Sequence, residues 1–410
     1  MNFINNIHIN KLFHLSDFDI PVADEKFPHL IITGKNGSGK TILLNAVSDF
    51  LNKIKDDKAM LFLGYYKSLE TYNKILKETT DEQVRRQTQQ NVDFFSREIE
   101  NIYGKVGLRS ELWGSIIDKY AKGEFIIAFY QADRKVKMSE PKNPMKPVIN
   151  KKGNVRETAT SQFLNFLSDL KIQEALARNE KQDEDADEIN AWFRDFEELL
   201  RHIYQDDELR LEFNYRDYSF RICTEGKKFK FTEVSDGFAA VLDIVADLIL
   251  KMQGEGTLIR SYQKEGIVLI DEIETHLHLA LQKVIMPLLT KVFPNIQFVI
   301  TTHSPFVLSS MPDAVAYDLE HREVLENLTE YSYESLAEGY FGVRTQSSYA
   351  EMQLDNFRRL LAKEELSDAE KVEIKQMKCE FEKITETLSP LIVGEFRQIV
   401  IQNAEKLSSL

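Results

Sequence analysis

The junction at residues 34–41 constrains this chain more than any other feature. Gly34-Lys35-Asn36-Gly37-Ser38-Gly39-Lys40-Thr41 fits the pattern G-x-x-x-x-G-K-[ST]. It follows the apolar run His29-Leu30-Ile31-Ile32-Thr33, which reads as a short buried strand. It opens the stretch from Thr41 to about Ile54, where Leu43, Leu44, Ala46, Val47 and Leu51 give a helix an apolar face. A strand, a glycine turn and a helix in that order wrap backbone N–H groups around phosphate oxygens, and glycines permit the sharp turn and the close approach. The helix also directs its positive end at the phosphates. Gly34, Lys35, Asn36, Gly37, Ser38, Gly39, Lys40 and Thr41 are therefore expected to bind ATP, with Lys40 on the β and γ oxygens and the Thr41 hydroxyl on Mg²⁺.

A second apolar run, Gly266-Ile267-Val268-Leu269-Ile270, ends in Asp271-Glu272. A carboxylate that follows a buried strand beside a phosphate loop helps to hold Mg²⁺, the role expected of Asp271. Glu272 is then the expected general base, polarising the attacking water. A third run, Ile296 to Ile300, leads into Thr301-Thr302-His303-Ser304-Pro305. His303 at that strand end is expected to contact the γ-phosphate and sense its loss. The catalytic set read from the sequence is Glu272, Lys40 and His303.

The chain has 410 residues, above the usual size of one compact domain, and 43% hydrophobic residues, enough for a real core. It shows neither a long uncharged apolar run nor a basic start followed by an apolar stretch, so neither a membrane span nor a secretion signal is expected. Cys223 and Cys379 stand far apart without metal-ligand spacing, which fits a reducing, cytoplasmic setting. The net charge of −14 lacks the overall basic footprint of a nucleic-acid binder. A local exception is 134–156, with Arg134, Lys135, Lys137, Lys142, Lys146, Lys151, Lys152 and Arg156 against Glu140, read first as a solvated loop. The acidic run 183–188 reads as a solvated loop interrupting helical sequence. Trp113 and Trp192 read as packing residues. Phe357, Leu360, Leu361, Phe381, Ile384 and Leu388 read as one packed helical hairpin.

Together these motifs resemble the ATP-binding-cassette superfamily, in its soluble SMC/RecF-like and OLD-type branch. Asp271-Glu272-Ile273-Glu274-Thr275-His276-Leu277-His278 is similar to that branch's D-E-P-E-x-H-L-H, with Ile273 in place of proline. Thr301-Thr302-His303-Ser304-Pro305 is similar to its T-H-S-P switch. Val234-Ser235-Asp236-Gly237-Phe238 resembles the signature L-S-G-G-Q, with Asp236 and Phe238 as departures. The resemblance implies that Ser235, Asp236 and Gly237 face the γ-phosphate held by a second copy, so that ATP joins two chains. It also implies that Gln131 is the Q-loop glutamine, touching both nucleotide and Mg²⁺. The implied fold is α/β: an ABC-type P-loop ATPase head, with a mixed sheet flanked by helices, helical insertions and a C-terminal helical region. The expected division is head 1–54 and hairpin insert 55–123, then head strand and Q-loop 124–135. A basic loop with helical insert, 136–205, comes next, then head 206–320 and C-terminal helices 321–410.

The compact head, short hairpin and added C-terminal helices resemble the ATPase subunits of the PARIS (AriA) and Septu (PtuA) anti-phage systems. This implies a sensor working with a separate effector such as a nuclease or toxin, triggered by DNA or a phage protein. The sequence lacks the acidic cluster and second domain of an OLD nuclease, so cleavage in cis is not expected. A RecF-like DNA-repair ATPase and a transporter ATPase subunit are the competing readings. The first predicts a DNA-gripping basic surface. The second predicts a short lobe that docks on a membrane protein, against which the two long inserts speak.

Overall fold

All five residues of the strand His29–Thr33 are buried, as are all six of Ile296–Thr301 and five of six in Glu265–Ile270. Strands covered on both faces read as continuous apolar runs, which is how they stand out in the sequence. The computed structural model describes residues 3–22, 29–54, 58–134, 138–141, 154–253, 262–326, 328–339, 341, 348–363, 365–384 and 390–408. It divides into two compact units, Met1–Tyr331 and Ser332–Leu410.

The strands of the first unit are β1 (Asn6–Leu12), β2 (Leu15–Pro21), β3 (His29–Thr33), β4 (Val106–Arg109), β5 (Phe125–Tyr130), β6 (Arg210–Asn214), β7 (Ser219–Thr224), β8 (Lys227–Lys230), β9 (Glu265–Ile270), β10 (Ile296–Thr301), β11 (Ala314–Asp318) and β12 (Glu323–Leu325). Its helices are α1 (Lys40–Ile54), α2 (Lys58–Glu78), α3 (Glu82–Tyr103), α4 (Trp113–Ala121), α5 (Phe163–Asn179), α6 (Asp183–Tyr204), α7 (Asp236–Met252), α8 (Leu279–Val292) and the short α9 (Pro305–Leu308). The main sheet runs β12-β11-β3-β10-β9-β5; every pair is parallel except β11–β12. Two antiparallel sheets accompany it, β2-β1-β4 and β6-β7-β8. The fold is thus α/β with a mixed sheet flanked by helices.

Leu43, Leu44, Val47 and Leu51 of α1 pack in one core with Leu30 and Ile32 of β3, Leu269 of β9 and Val299 of β10. Trp113 belongs to the same core, and Trp192 is buried and stacked on Phe196, so both indoles are packing residues. Helix α7 is buried along most of its length, yet it carries Asp247 with no exposure at all. That carboxylate accepts from Tyr130 Oη at 2.6 Å, Lys251 Nζ at 2.5 Å and the Ala159 N–H at 2.6 Å. A charge so placed is tolerable because it is paired and hydrogen-bonded.

Three local readings need correction. The acidic run 183–188 is not a loop: it forms the first turns of α6, with Asp183, Glu184 and Asp185 at the positive helix end and Arg201 and His202 in the last turn. Within 55–123, α2 and α3 form a helical hairpin, with Asp81 capping α3 through the Gln83 and Val84 N–H groups, but the stretch also holds α4 and β4, the latter pairing with β1. Beyond residue 320 the chain is not all helical, because β12 still belongs to the main sheet.

The second unit contains α10 (Tyr333–Gly339), α11 (Ser348–Leu361), α12 (Asp368–Phe381), α13 (Pro390–Gln402) and α14 (Ala404–Ser408). Phe357, Leu360, Leu361, Phe381 and Phe396 form its core, with Ile384 packed against it. Leu388 lies outside the described residues. Ser367 and Glu370 form a capping box that starts α12.

Candidate nucleotide site

The parallel strands β11, β3, β10, β9 and β5 end on one edge of the sheet, the place where open α/β sheets bind ligands. The glycine turn leaves β3, and Asp271 with Glu272 leaves β9. Thr302 and His303 leave β10, Gln131 leaves β5, and Asp318 closes β11. Five separated pieces of sequence therefore converge because their strands are neighbours.

In the glycine turn, Gly34, Gly37 and Gly39 take φ of 131°, 86° and 103°, values that side chains rarely adopt. A Cβ on Gly34 would also stand 3.2 Å from Asp318 Oδ1. Lys35, Asn36, Gly37 and Thr41 face solvent, whereas Ser38, Gly39 and Lys40 are buried. Lys40 Nζ donates to the carbonyls of Gly34 at 2.8 Å and Lys35 at 3.0 Å. Burial lowers the Lys40 pKa, and Glu272, Glu274, Asp271 and Asp318 pull it back up. The turn is braced from outside. Lys35 Nζ meets Glu320 at 3.0 Å, the Lys35 N–H also donates to Glu320 at 3.3 Å, and His14 Nε2 lies 3.2 Å from the Ser38 carbonyl.

The acidic turn is built around one buried hydroxyl. Thr301 Oγ1 donates to Asp271 Oδ1 at 2.6 Å and accepts from the Glu272 N–H at 2.8 Å. Asp271 is 2% exposed, and its N–H donates to the Tyr130 carbonyl at 2.8 Å, which sets the end of β5 beside it. Gln131, the next residue, is exposed at that strand end. Glu272 has a left-handed backbone, φ 44°, uncommon for a residue with a side chain. Arg134 donates to the carbonyls of Asp271, Glu272 and Ile273 at 3.1, 3.1 and 3.2 Å. Glu274 accepts from Thr302 Oγ1 at 2.8 Å and from the His303 N–H, and burial raises its pKa. His303 is half-buried; burial first, then the Lys40 charge, lowers its pKa and favours the neutral imidazole.

Ser235 occupies the N-cap position of α7 (φ −66°, ψ 155°) but its side chain makes no capping bond. Ser235 and Asp236 are exposed. Gly237 lies against the turn after β9, where a Cβ would come 2.6 Å from the His276 carbonyl oxygen. Packing within one chain thus already demands a glycine here.

Sequence reasoning missed several contributors. Thr301 and Glu274 sit inside recognisable motifs but carried no role. Glu320 and Asp318 gave no local signal. Arg134 and Arg156 were counted with a solvated basic loop, yet Arg134 is clamped on the acidic turn, and Arg156 pairs with Asp49 at 3.0 Å over the Phe129 ring. Lys135, Lys137, Lys142, Lys146, Lys151 and Lys152 lie outside the described residues.

Residues 70–309, which include the acidic turn and the His303 segment, match a family model described as "AAA domain, putative AbiEii toxin, Type IV TA system". The chain belongs to this family. The Septu protein PtuA of Bacillus mycoides (strain KBAB4) is 31% identical over 171 residues, 39% of this chain and 24% of that protein. The retron Vc95 probable ATPase of Vibrio cholerae is 22% identical over 344 residues, 68% of this chain and 66% of that protein. The chain thus spans about a quarter of the first relative and just under two thirds of the second. A solved SMC head bound to the C-winged helix domain of ScpA aligns with 80% of this chain and all of that one, at 14% identity and a TM-score of 0.40. Among the described residues no helix is long and apolar enough to cross a membrane.

Proposed function

We propose that this chain binds ATP with Mg²⁺ and hydrolyses it, two copies closing around the nucleotide, as the regulatory subunit of a defence system with a separate effector. The observation that carries the reading is convergence. The glycine turn, the Asp271-Glu272 pair and His303 follow neighbouring parallel strands and meet on one edge of the sheet. The donor set fits the ligands. Magnesium is usually held by one or two carboxylates together with substrate phosphates, so Asp271, the Thr41 hydroxyl and Gln131 would suffice. When bound, the ion would supply positive charge that offsets the charge of the phosphates.

The chain's own residues have separate tasks. Lys40 is held among carbonyls at the base of the turn and supplies positive charge to the β and γ oxygens. Thr301 keeps Asp271 aimed at the cradle by its short bond. Glu272 takes the proton of the attacking water. The neutral His303 offers a ring N–H or lone pair at the γ-phosphate position, with its backbone fixed by Glu274. Exposed Ser235 and Asp236, at the positive start of α7, are available to a second copy's γ-phosphate. Loss of that phosphate would loosen the pair, a nucleotide-driven switch.

The defence role is supported by the names of the relatives, a Septu protein and a retron probable ATPase. The effector would be a nuclease or toxin, and DNA or a phage protein the trigger. The DNA-repair reading loses Arg134 and Arg156, which are committed to intramolecular contacts.

The test is Glu272→Gln, compared with Lys40→Ala. The glutamine variant should bind ATP, turn it over slowly and accumulate dimers seen by light scattering. The alanine variant should lose nucleotide binding. Normal turnover by Glu272→Gln would refute the assignment of the base, and a monomer under saturating ATP would refute closure.

A further inference from the structure

Arg134 spends its guanidinium on main-chain oxygens. It donates to three successive carbonyls, those of Asp271, Glu272 and Ile273. Burial lowers its pKa, opposed by Asp243, Glu274, Asp271 and Glu272 around it. A group as costly to bury as a guanidinium needs compensation, and here that comes from backbone oxygens and from the field of the acids.

The turn it grips is strained. Glu272 at φ 44° occupies a region that a side-chain-bearing residue rarely adopts and that persists only when its surroundings over-determine it. The N–H side of the turn is held by neighbouring strands. The Asp271 N–H donates to Tyr130 O, the Glu272 N–H to Thr301 Oγ1 and the Ile273 N–H to Thr301 O. The carbonyl side is held by Arg134, with one further bond from the Thr275 N–H to Glu272 O. The two sets of bonds fix both edges of the peptide planes on either side of Glu272.

We propose that Arg134 is a positioning residue for hydrolysis, clamping the carbonyl edge of the 271–273 turn so that the Glu272 carboxylate points at the phosphate cradle. This rests on the reading of Glu272 as the base. Lysine cannot substitute, because one ammonium on a flexible stem does not reproduce a planar fork spanning three acceptors. The clamp also joins the segment carrying Gln131 to the acidic turn, so the loop after β5 and the base move together.

The test uses the full chain with Arg134→Lys and Arg134→Met, alone and combined with Glu272→Gln. The readouts are single-turnover ATP hydrolysis, equilibrium binding of a non-hydrolysable ATP analogue, and hydrogen exchange of the peptide covering 271–277. Arg134→Lys should slow turnover on the order of 10- to 100-fold, as a misplaced group does, while analogue affinity holds. Exchange in 271–277 should speed up without nucleotide. In the Glu272→Gln background the lysine change should cost no further turnover, because its effect passes through Glu272. Full turnover with unchanged exchange in Arg134→Lys overturns the proposal, and so does a loss that multiplies with that of Glu272→Gln. If Arg134→Met does not fold, Arg134→Lys decides. If Glu272→Gln alone hydrolyses normally, the base assignment itself has failed, whatever Arg134 does.

Discussion

Gly237→Ala is a small change with a sign that the structure decides. Gly237 is the second residue of α7, and helix propensity alone would favour alanine by up to about 1 kcal/mol. The added Cβ would lie 2.6 Å from the His276 carbonyl oxygen, inside the 3.0 Å that real Cβ atoms essentially never breach. The obstacle is backbone, and His276 already sits at φ 68°, so the turn cannot simply rotate away. Overpacking of this kind costs about 1–3 kcal/mol, which outweighs the propensity gain and leaves a net loss near 1 kcal/mol. That corresponds to a fall of roughly 1–2 °C in Tm for the unit Met1–Tyr331. Gly394→Ala is the control: Gly394 lies inside α13 with nothing within 4 Å of its Cβ position. It should gain about 0.5–1 kcal/mol in its own unit. Calorimetry and urea melts on both variants measure the two effects. A Gly237→Ala protein as stable as the parent, or more so, would show that α7 does not press on the 276–278 turn. It would also remove the intramolecular reason for a glycine at 237.

The remaining tests probe the sheet and the joint of the site. His29 is buried, its Nδ1 accepts the Phe298 N–H at 3.2 Å, and burial lowers its pKa from 6.5 to about 4. The folded ring is neutral, so its stabilising contribution is complete above pH 6.5 and is lost as pH falls toward 4. The loss should reach roughly 3 kcal/mol, and urea melts across that range should show a steeper pH slope for the parent than for His29→Leu; equal slopes would contradict this. Thr301→Val leaves the Asp271 carboxylate and the Glu272 N–H without their shared hydroxyl, at a cost of about 1–3 kcal/mol. Thr301→Ser keeps the hydroxyl and should melt close to the parent, so equal stability of the valine and serine variants would refute the role of that hydroxyl.

Much of the site was legible because its parts are local. The glycine turn, the buried runs of β3, β9 and β10 and the residues that end them are contiguous stretches. Their side-chain types mark both the strand and the candidate site residues at its end. Hidden features depended on pairing across sequence distance. Four residues of β4 inside a helical insert pair with β1, and the short β11 and β12 extend a sheet whose other members lie elsewhere in the chain. The acidic run 183–188 looked like a loop because charge density masks helical spacing. It is helical because the buried Ala186 and Ile189 anchor one face and the acids suit the helix start.

The sequence by itself determined the glycine turn, the acidic pair, the histidine after the third buried strand and the α/β class. Each of these is a property of residues adjacent along the chain. Only the tertiary structure decided that Arg134 grips the acidic turn, that Glu320 braces Lys35 and that Gly237 must be a glycine. Those facts depend on which strand ends lie side by side, and a contact between distant residues leaves no periodicity for a sequence to display.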